Sequence, residues 1–520
     1  MGSSKLTTEK KRYVGNGVKR LIFAGIAVIV NVIWIYNLIV IAGRSFTIFD
    51  NVVRIVALLL IIQIYGKQMN AALKMPWMIL IGIFPILGMI LYFSVGLSGS
   101  TKNMRKRFEK IDTALFQIIP QDKAVAEELK NKDMTAYSQS SYLFSYTGFP
   151  VYNNTSMRYY SNALAGLEAQ LEDMNNAKSF IFMEYHAIEV SQAFERIEEV
   201  LARKAREGVE VRLFYDDVGS IGFINRDFVN RMEEEGIHCR CFNPVIPLVN
   251  VFLNNRDHRK ITVIDGRIGY TGGYNLADEY FGYKHPYGEW KDTGVRLEGE
   301  AVHTLTAVFL EMWNAIRATD KDDKNAERFF PECEPMGYHG FIQPYADSPL
   351  DHENVGENVY LNLLGSANEY IYFMTPYLII DDEMINAFTL AAKRGVDVRI
   401  ITPGIPDKKA VNNMTKSYYS VLCQSGVRIY EYTPGFCHAK MCICDDKMAT
   451  CGTINLDYRS FYHHFENGVW MYDSEIIKDI RKDFEATFKE CHEVTEAYRH
   501  TDKRRVMLYQ YILRLVAPLL

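Results

Sequence analysis

The first hundred residues alternate charge-free stretches with short polar breaks, and this pattern predicts membrane helices. Leu21 to Gly43 carries no charge and as a helix is long enough to cross a hydrocarbon core. It exceeds the apolar core of a secretory signal and lacks a small-residue cleavage site, so it reads as an anchor. Met75 to Ser100 is also uncharged. Pro76 suits a helix start there, Pro85 predicts a kink, and Trp77 and Tyr92 suit the two interfaces. Ile55 to Tyr65 is apolar but short. Basic residues flank the whole region, from Lys5, Lys10, Lys11, Arg12, Lys19 and Arg20 to Lys102, Arg105, Lys106, Arg107 and Lys110. Two spans near 21–43 and 75–97 place both basic sets on the cytoplasmic side. The segment 52–66 is then re-entrant or shallow, with a third span as the alternative. The expected location is the cell membrane, multi-pass, with the body of the chain cytoplasmic.

After residue 100 the pattern changes. Residues 101–144 are polar and helical in character, a connector. Beyond them the chain repeats itself. Ser179 to Tyr185 is an apolar run with strand character, followed by a helical stretch ending at Arg206-Glu207-Gly208 and a second strand, Val209 to Tyr215. Tyr370 to Tyr377, a helix ending at Lys393-Arg394-Gly395, and Val396 to Ile401 reproduce that order. Glycine follows the helix in both copies, where a left-handed cap is wanted. Strand–helix–strand units predict an α/β fold with largely parallel strands. The repeats are assigned to residues 145–335 and 336–520, packed about a pseudo-twofold axis. The tail from Val506 to Leu520 mixes apolar and basic residues and suits either a bilayer surface or the domain itself.

Composition narrows the class. The chain has 520 residues, too many for one ordinary core, and a net charge of -5, which opposes a protein built to coat nucleic acid. Nine cysteines form no regular framework and read as reduced thiols. Cys437, Cys442, Cys444 and Cys451 do not have the spacing of paired zinc ligands, and their alternation fits strand packing. No metal or cofactor is assigned. The choice between monomer and homo-oligomer stays open.

The chemistry lies in two strings. His258-Arg259-Lys260-Ile261-Thr262-Val263-Ile264-Asp265 and His438-Ala439-Lys440-Met441-Cys442-Ile443-Cys444-Asp445 both read HxKxxxxD. Gly272 and Gly452 follow their histidines by fourteen residues, and Asn275 and Asn455 by seventeen. Histidine and lysine two apart on a strand share one face. Each string therefore offers an imidazole, an ammonium and an amide donor to one small anion. Glu184, Tyr185 and Tyr377 end core strands and are candidates to line a headgroup pocket. His186, His303, His463, His464 and His492 have no counterpart in the other copy and are treated as structural or surface residues.

Two such strings in matching repeats resemble the phospholipase D superfamily, over roughly residues 145–520. Gly273 and Thr453 stand where serine is common in that superfamily, so a hydroxyl is lost at the first position and kept at the second. Pro76-Trp77, Pro85-Ile86-Leu87-Gly88, Asn255 to Lys260, Thr271 to Asn275, Trp290-Lys291-Asp292-Thr293 and the closing Leu513 to Leu520 are similar to the bacterial cardiolipin synthases within it. The resemblance implies a phosphatidyltransferase acting on phosphatidylglycerol and other anionic phospholipids at a lipid bilayer. It implies His258 as nucleophile and His438 as acid/base. Lys260, Lys440, Asn275 and Asn455 would hold phosphate oxygens, and Asp292 and Glu466 would brace the far nitrogens of the histidines. Asp265 and Asp445 belong to the motif and brace the structure. A membrane-bound phospholipase D is the alternative.

Overall fold

In a computed structural model, the described residues are 47–93, 99–224, 226–244, 255–316, 325–351 and 353–500, with a few near the C-terminus (510, 513–515 and 517–519). The anchor expected over 21–43 lies outside them. Of the span expected over 75–97, residues up to 93 are described. Ala71–Ile83 and Pro85–Leu91 are separate helices, broken at Phe84 (φ -126°, ψ 75°). Pro85 supplies no N–H, and its ring drives the preceding residue out of helical conformation. The segment 52–66 is helical up to Tyr65, as part of the helix Thr47–Tyr65. Among the described residues no helix is long and apolar enough to cross a membrane. Val52, Ile55, Val56, Leu58, Leu59 and Ile62 are all exposed on the Thr47–Tyr65 helix. The connector forms three helices, Gly99–Leu115, Lys123–Lys132 and Met134–Thr147.

Two sheets carry the rest. The first runs, edge to edge, Thr155–Tyr160, Gly294–Gly299, Ile268–Gly272, Lys260–Ile264, Phe180–Tyr185, Glu210–Asp216 and His238–Phe242. The second runs Phe341–Asp347, His464–Tyr472, Met448–Gly452, Met441–Cys444, Tyr370–Met374, Asp397–Pro403, Arg428–Tyr432 and Cys491–Glu493. Apart from the added last strand, the order of corresponding strands is the same. The expectation of largely parallel strands is corrected to mixed sheets. The strand–helix–strand segments are parallel, whereas the motif strand and its neighbours are antiparallel. A tight turn joins each motif strand to the next, and a parallel return needs a crossover of a dozen residues or more.

Local chemistry explains these elements. Phe180–Tyr185 and Tyr370–Met374 are buried along their whole length, so continuous apolar runs suit them. Gly208 and Gly395 sit at φ +91° and +95°, directly after the helices Gln192–Arg206 and Asp382–Lys393 and their capping residues. A side chain there would strain the backbone.

Asp265 and Asp445 occupy the same left-handed region, at φ +53° and +52°. Asp265 accepts hydrogen bonds from the N–H groups of Lys178, Ser179 and Phe180 at 2.7–2.9 Å. Asp445 accepts from Asn368, Glu369 and Tyr370 over the same range. Each aspartate thus fastens the start of a central strand to the end of the motif strand. It lies about 16 Å along the chain from its lysine, and the strand-starting N–H groups are what its carboxylate meets.

Candidate active site

Each histidine follows a short strand that pairs with the opposite repeat. Arg256–Asp257 runs parallel to His464-Phe465, and the His258 N–H donates to Phe465 O at 2.9 Å. Gly435–Cys437 runs parallel to Glu289–Lys291, and the His438 N–H donates to Lys291 O at 2.7 Å. The next residue on each partner strand is a carboxylate. His258 Nδ1 lies 2.9 Å from both oxygens of Glu466, and His438 Nδ1 lies 2.7 Å from Asp292 Oδ2. The exchange is reciprocal, each repeat lending its carboxylate to the other's histidine. A carboxylate only accepts, so Nδ1 carries the proton and Nε2 is left for a reacting group.

Both histidines line one cavity of about 720 Å³, together with Asn275, Asn455 and Tyr377. Lys260 and Lys440 are almost fully buried beside them. Each Nζ donates to the carbonyl of its own motif histidine, at 2.6 Å for Lys260. Burial pulls Lys260 down to about 7 and Lys440 down to about 8, against the opposing pull of Glu466 and Asp292. Burial and the nearby lysines hold His258 well below its ordinary value. Burial and Lys440 push His438 down to about 4, with Asp292 pulling the other way. Burial alone would raise Asp292, but His438 and Lys440 outweigh it and hold the carboxyl below its ordinary value. Both imidazoles therefore favour the neutral form at neutral pH.

Gly272 and Gly452 do not reach the cavity; they face Gly294 and Gly468 across the sheet. A Cβ on Gly272 would sit 2.4 Å from Thr293 O, and one on Gly452 2.3 Å from Asn467 O. These contacts keep the sheet tight where it presents Asp292 and Glu466. Thr453 is also behind the wall, its hydroxyl donating to Glu466 Oε2 at 2.5 Å. At the matching position, a Cβ on Gly273 would lie 2.0 Å from Asp292 Oδ1. The shorter carboxylate is thus paired with glycine and the longer one with threonine. Gly273→Ala is expected to push Asp292 off His438 and cut turnover about a hundredfold. Thr453→Ala, which removes one hydroxyl from Glu466, should cost about tenfold. Steady-state turnover of both variants beside the unaltered protein checks this ordering.

Tyr185 and Glu184 are corrected as pocket residues. Tyr185 lies in the core, its hydroxyl 3.1 Å from Thr262 Oγ1 and 3.2 Å from Gln170 Nε2, because its face of the sheet is covered by the helix Ala163–Asn175. Glu184 is fully buried; burial and the neighbouring Asp257 push its carboxyl well above the ordinary range. His186 and His464 are corrected in the other direction. Their rings lie 4.9 and 5.3 Å from that of His258, and both line the cavity. Arg256, Arg459, Tyr280 and Trp290 also line it. The repeats carry different residues at these positions, so comparing one copy with the other could not single them out.

His258, His464 and Glu466 are close enough to hold a metal ion. Their protonation opposes it. Arg459 Nε donates to His464 Nε2 at 3.1 Å, which leaves the proton on Nδ1, facing Glu466 at 3.6 Å. With His258 Nδ1 committed to Glu466, His258 Nε2 is the one imidazole nitrogen of this pair that keeps a free lone pair. Glu466 is hydrogen-bonded to His258 and Thr453 and only faces His464.

Residues 171–313 and 360–488 match the family described as cardiolipin synthase, PLD-like domain. These two segments contain both histidines, both lysines and the two carboxylates that meet them. A Streptococcus mutans protein described as uncharacterized is 41% identical over 460 residues, covering 88% of this chain and 99% of its own length. Cardiolipin synthase 2 of Bacillus cereus is 32% identical over 462 residues, covering 88% of each chain. A solved structure of phosphatidylserine synthase from Haemophilus influenzae matches with a TM-score of 0.56 at 14% identity, covering 74% of this chain and 98% of that one, a likeness of fold. By sequence over most of its length, and by the matched blocks that hold its paired motifs, this chain belongs to the cardiolipin synthase family of phospholipase D-like proteins.

Proposed function

We propose that the protein is a cardiolipin synthase, transferring a phosphatidyl group from one phosphatidylglycerol to another and releasing glycerol. The observation that carries this reading is the reciprocal pairing of His258 with Glu466 and His438 with Asp292 around one cavity. His258 Nε2 attacks phosphorus and forms a phosphohistidine. His438, protonated once a phosphate anion offsets the nearby lysines, gives its proton to the departing glycerol oxygen. The resulting neutral His438 takes the hydroxyl proton of the second phosphatidylglycerol, whose oxygen attacks phosphorus and frees His258. Lys260, Lys440, Asn275 and Asn455 stabilise charge on the phosphate oxygens. The repeats, divided near residue 335, pack about a pseudo-twofold axis in this reading; the exchanged carboxylates support it. Exposed apolar side chains on the Thr47–Tyr65 helix support contact with a lipid bilayer. Basic residues flanking the N-terminal region support a cell-membrane protein with its catalytic body on the cytoplasmic side.

Purified protein given phosphatidylglycerol alone tests the function. Cardiolipin and glycerol are expected; phosphatidic acid without cardiolipin would instead make the protein a phospholipase D. A second test uses pH. Lysine is charged below its pKa, and burial brings Lys260 and Lys440 down to about 7 and about 8. Binding of a dialkyl phosphate, whose own charge is constant in this range, should weaken about tenfold between about pH 6 and pH 9. Competition against substrate measures it, and a flat profile would rule the lysines out as the anion's counter-charges.

A further inference from the structure

The two ends of the cavity differ in chemistry. Around His258 stand His186 and His464, with Arg256 and Arg459 on the same wall. Around His438 the surroundings are aromatic. Tyr280, Trp290 and Phe436 have ring centroids 5.2, 5.4 and 5.8 Å from the imidazole. They also touch one another, Tyr280 to Trp290 at 4.6 Å and Trp290 to Phe436 at 4.8 Å. Two polar groups interrupt this wall. Asn275 Nδ2 donates to Tyr280 OH at 2.8 Å, and burial pushes that phenol above its ordinary value, so it keeps its own proton to donate. Tyr377 OH donates to Asp407 Oδ2 at 2.7 Å, which leaves Asp407 further lone pairs on the cavity side.

We propose that this aromatic end is a subsite for a vicinal diol, the glycerol headgroup that leaves in the first half-reaction and attacks in the second. The proposal rests on the cardiolipin synthase reading and deepens it. Nucleophile and leaving group lie roughly in line across phosphorus, so attack from His258 places the leaving alcohol against His438. A small polyol has C–H faces that pack on aromatic rings and hydroxyls that need a few fixed partners. Tyr280 offers a donor and Asp407 an acceptor. In the second half-reaction the attacking hydroxyl passes its proton to His438 Nε2. Its oxygen forms the new bond to phosphorus, and the phosphorus–nitrogen bond breaks, returning its electron pair to His258. Water can make the same attack. Holding the diol against His438 raises its effective concentration over that of water. The subsite therefore sets how the phosphatidyl-enzyme divides between transfer and hydrolysis.

The test measures that division in full-length protein with phosphatidylglycerol vesicles, cardiolipin and phosphatidic acid being quantified together. Asp407→Asn and Tyr280→Phe are expected to lower the cardiolipin-to-phosphatidic acid ratio about tenfold, since each loses one hydrogen bond to the alcohol. A merely structural role would lower both products together, and a constant ratio overturns the proposal. Wild-type protein gives an independent measurement with 1,2-propanediol and 1-propanol as added acceptors. The diol ester should form about tenfold faster, and equal rates overturn the proposal even if the variants fail to fold. Cardiolipin formation by wild type is the separate control. Its absence would end the functional reading, whereas an unchanged ratio or absent diol preference with transfer intact would end only the subsite.

Discussion

His258→Ala is expected to reduce cardiolipin formation by about 10⁴-fold or more, because the reaction loses its covalent intermediate. His438→Ala should reduce it comparably, but at a different step. A phosphatidyl ester of p-nitrophenol separates the two, because nitrophenolate leaves without a proton. His438→Ala should then release about one nitrophenolate per site in a burst and stall, with no base to activate the acceptor. His258→Ala should show no burst. Stopped-flow absorbance measures both, and a burst retained by His258→Ala but lost by His438→Ala would reverse the assigned roles. Burial and the motif lysines hold both imidazoles below their ordinary value, and each has a carboxylate at Nδ1, so the burst decides which one attacks.

The second large effect concerns the crossed carboxylates. Glu466→Gln and Asp292→Asn are each expected to lower turnover about 10³-fold, since a neutral amide neither fixes the Nδ1–H tautomer nor stabilises an imidazolium. The crossing makes a sharper prediction. Glu466 belongs to the second repeat yet braces the histidine of the first, so Glu466→Gln should slow the nitrophenolate burst itself. Asp292→Asn should slow the turnover that follows far more than the burst. The same effect on both phases from both variants would mean that the carboxylates support the pocket as a whole rather than one histidine each.

Much of this architecture is written locally. The buried runs Phe180–Tyr185 and Tyr370–Met374 and the glycines that close the following helices are short-range signals, legible because a strand's burial and a helix's cap depend on neighbouring residues. The break at Phe84 is of the same kind, although the sequence reading took Pro85 for a kink within one helix. The direction of the motif strands was misread because a strand–helix–strand pattern says nothing about the hairpin that follows it. Spacing also fixes the relation of histidine, lysine and asparagine within each string, since all three are tied to one hairpin.

Residue order alone thus settles that two copies of one phosphate-handling string exist and what chemical groups each brings. How they meet is a property of the folded chain. Glu466 reaches His258 and Asp292 reaches His438 because short strands from opposite repeats pair side by side, through hydrogen bonds between residues 208 and 146 positions apart. It also brought His186 and His464 beside His258, and set an aromatic wall against His438. The physical reason is range. Backbone geometry carries pattern along a few turns or a hairpin, but which side chain faces which across a buried seam depends on the packing of the whole molecule.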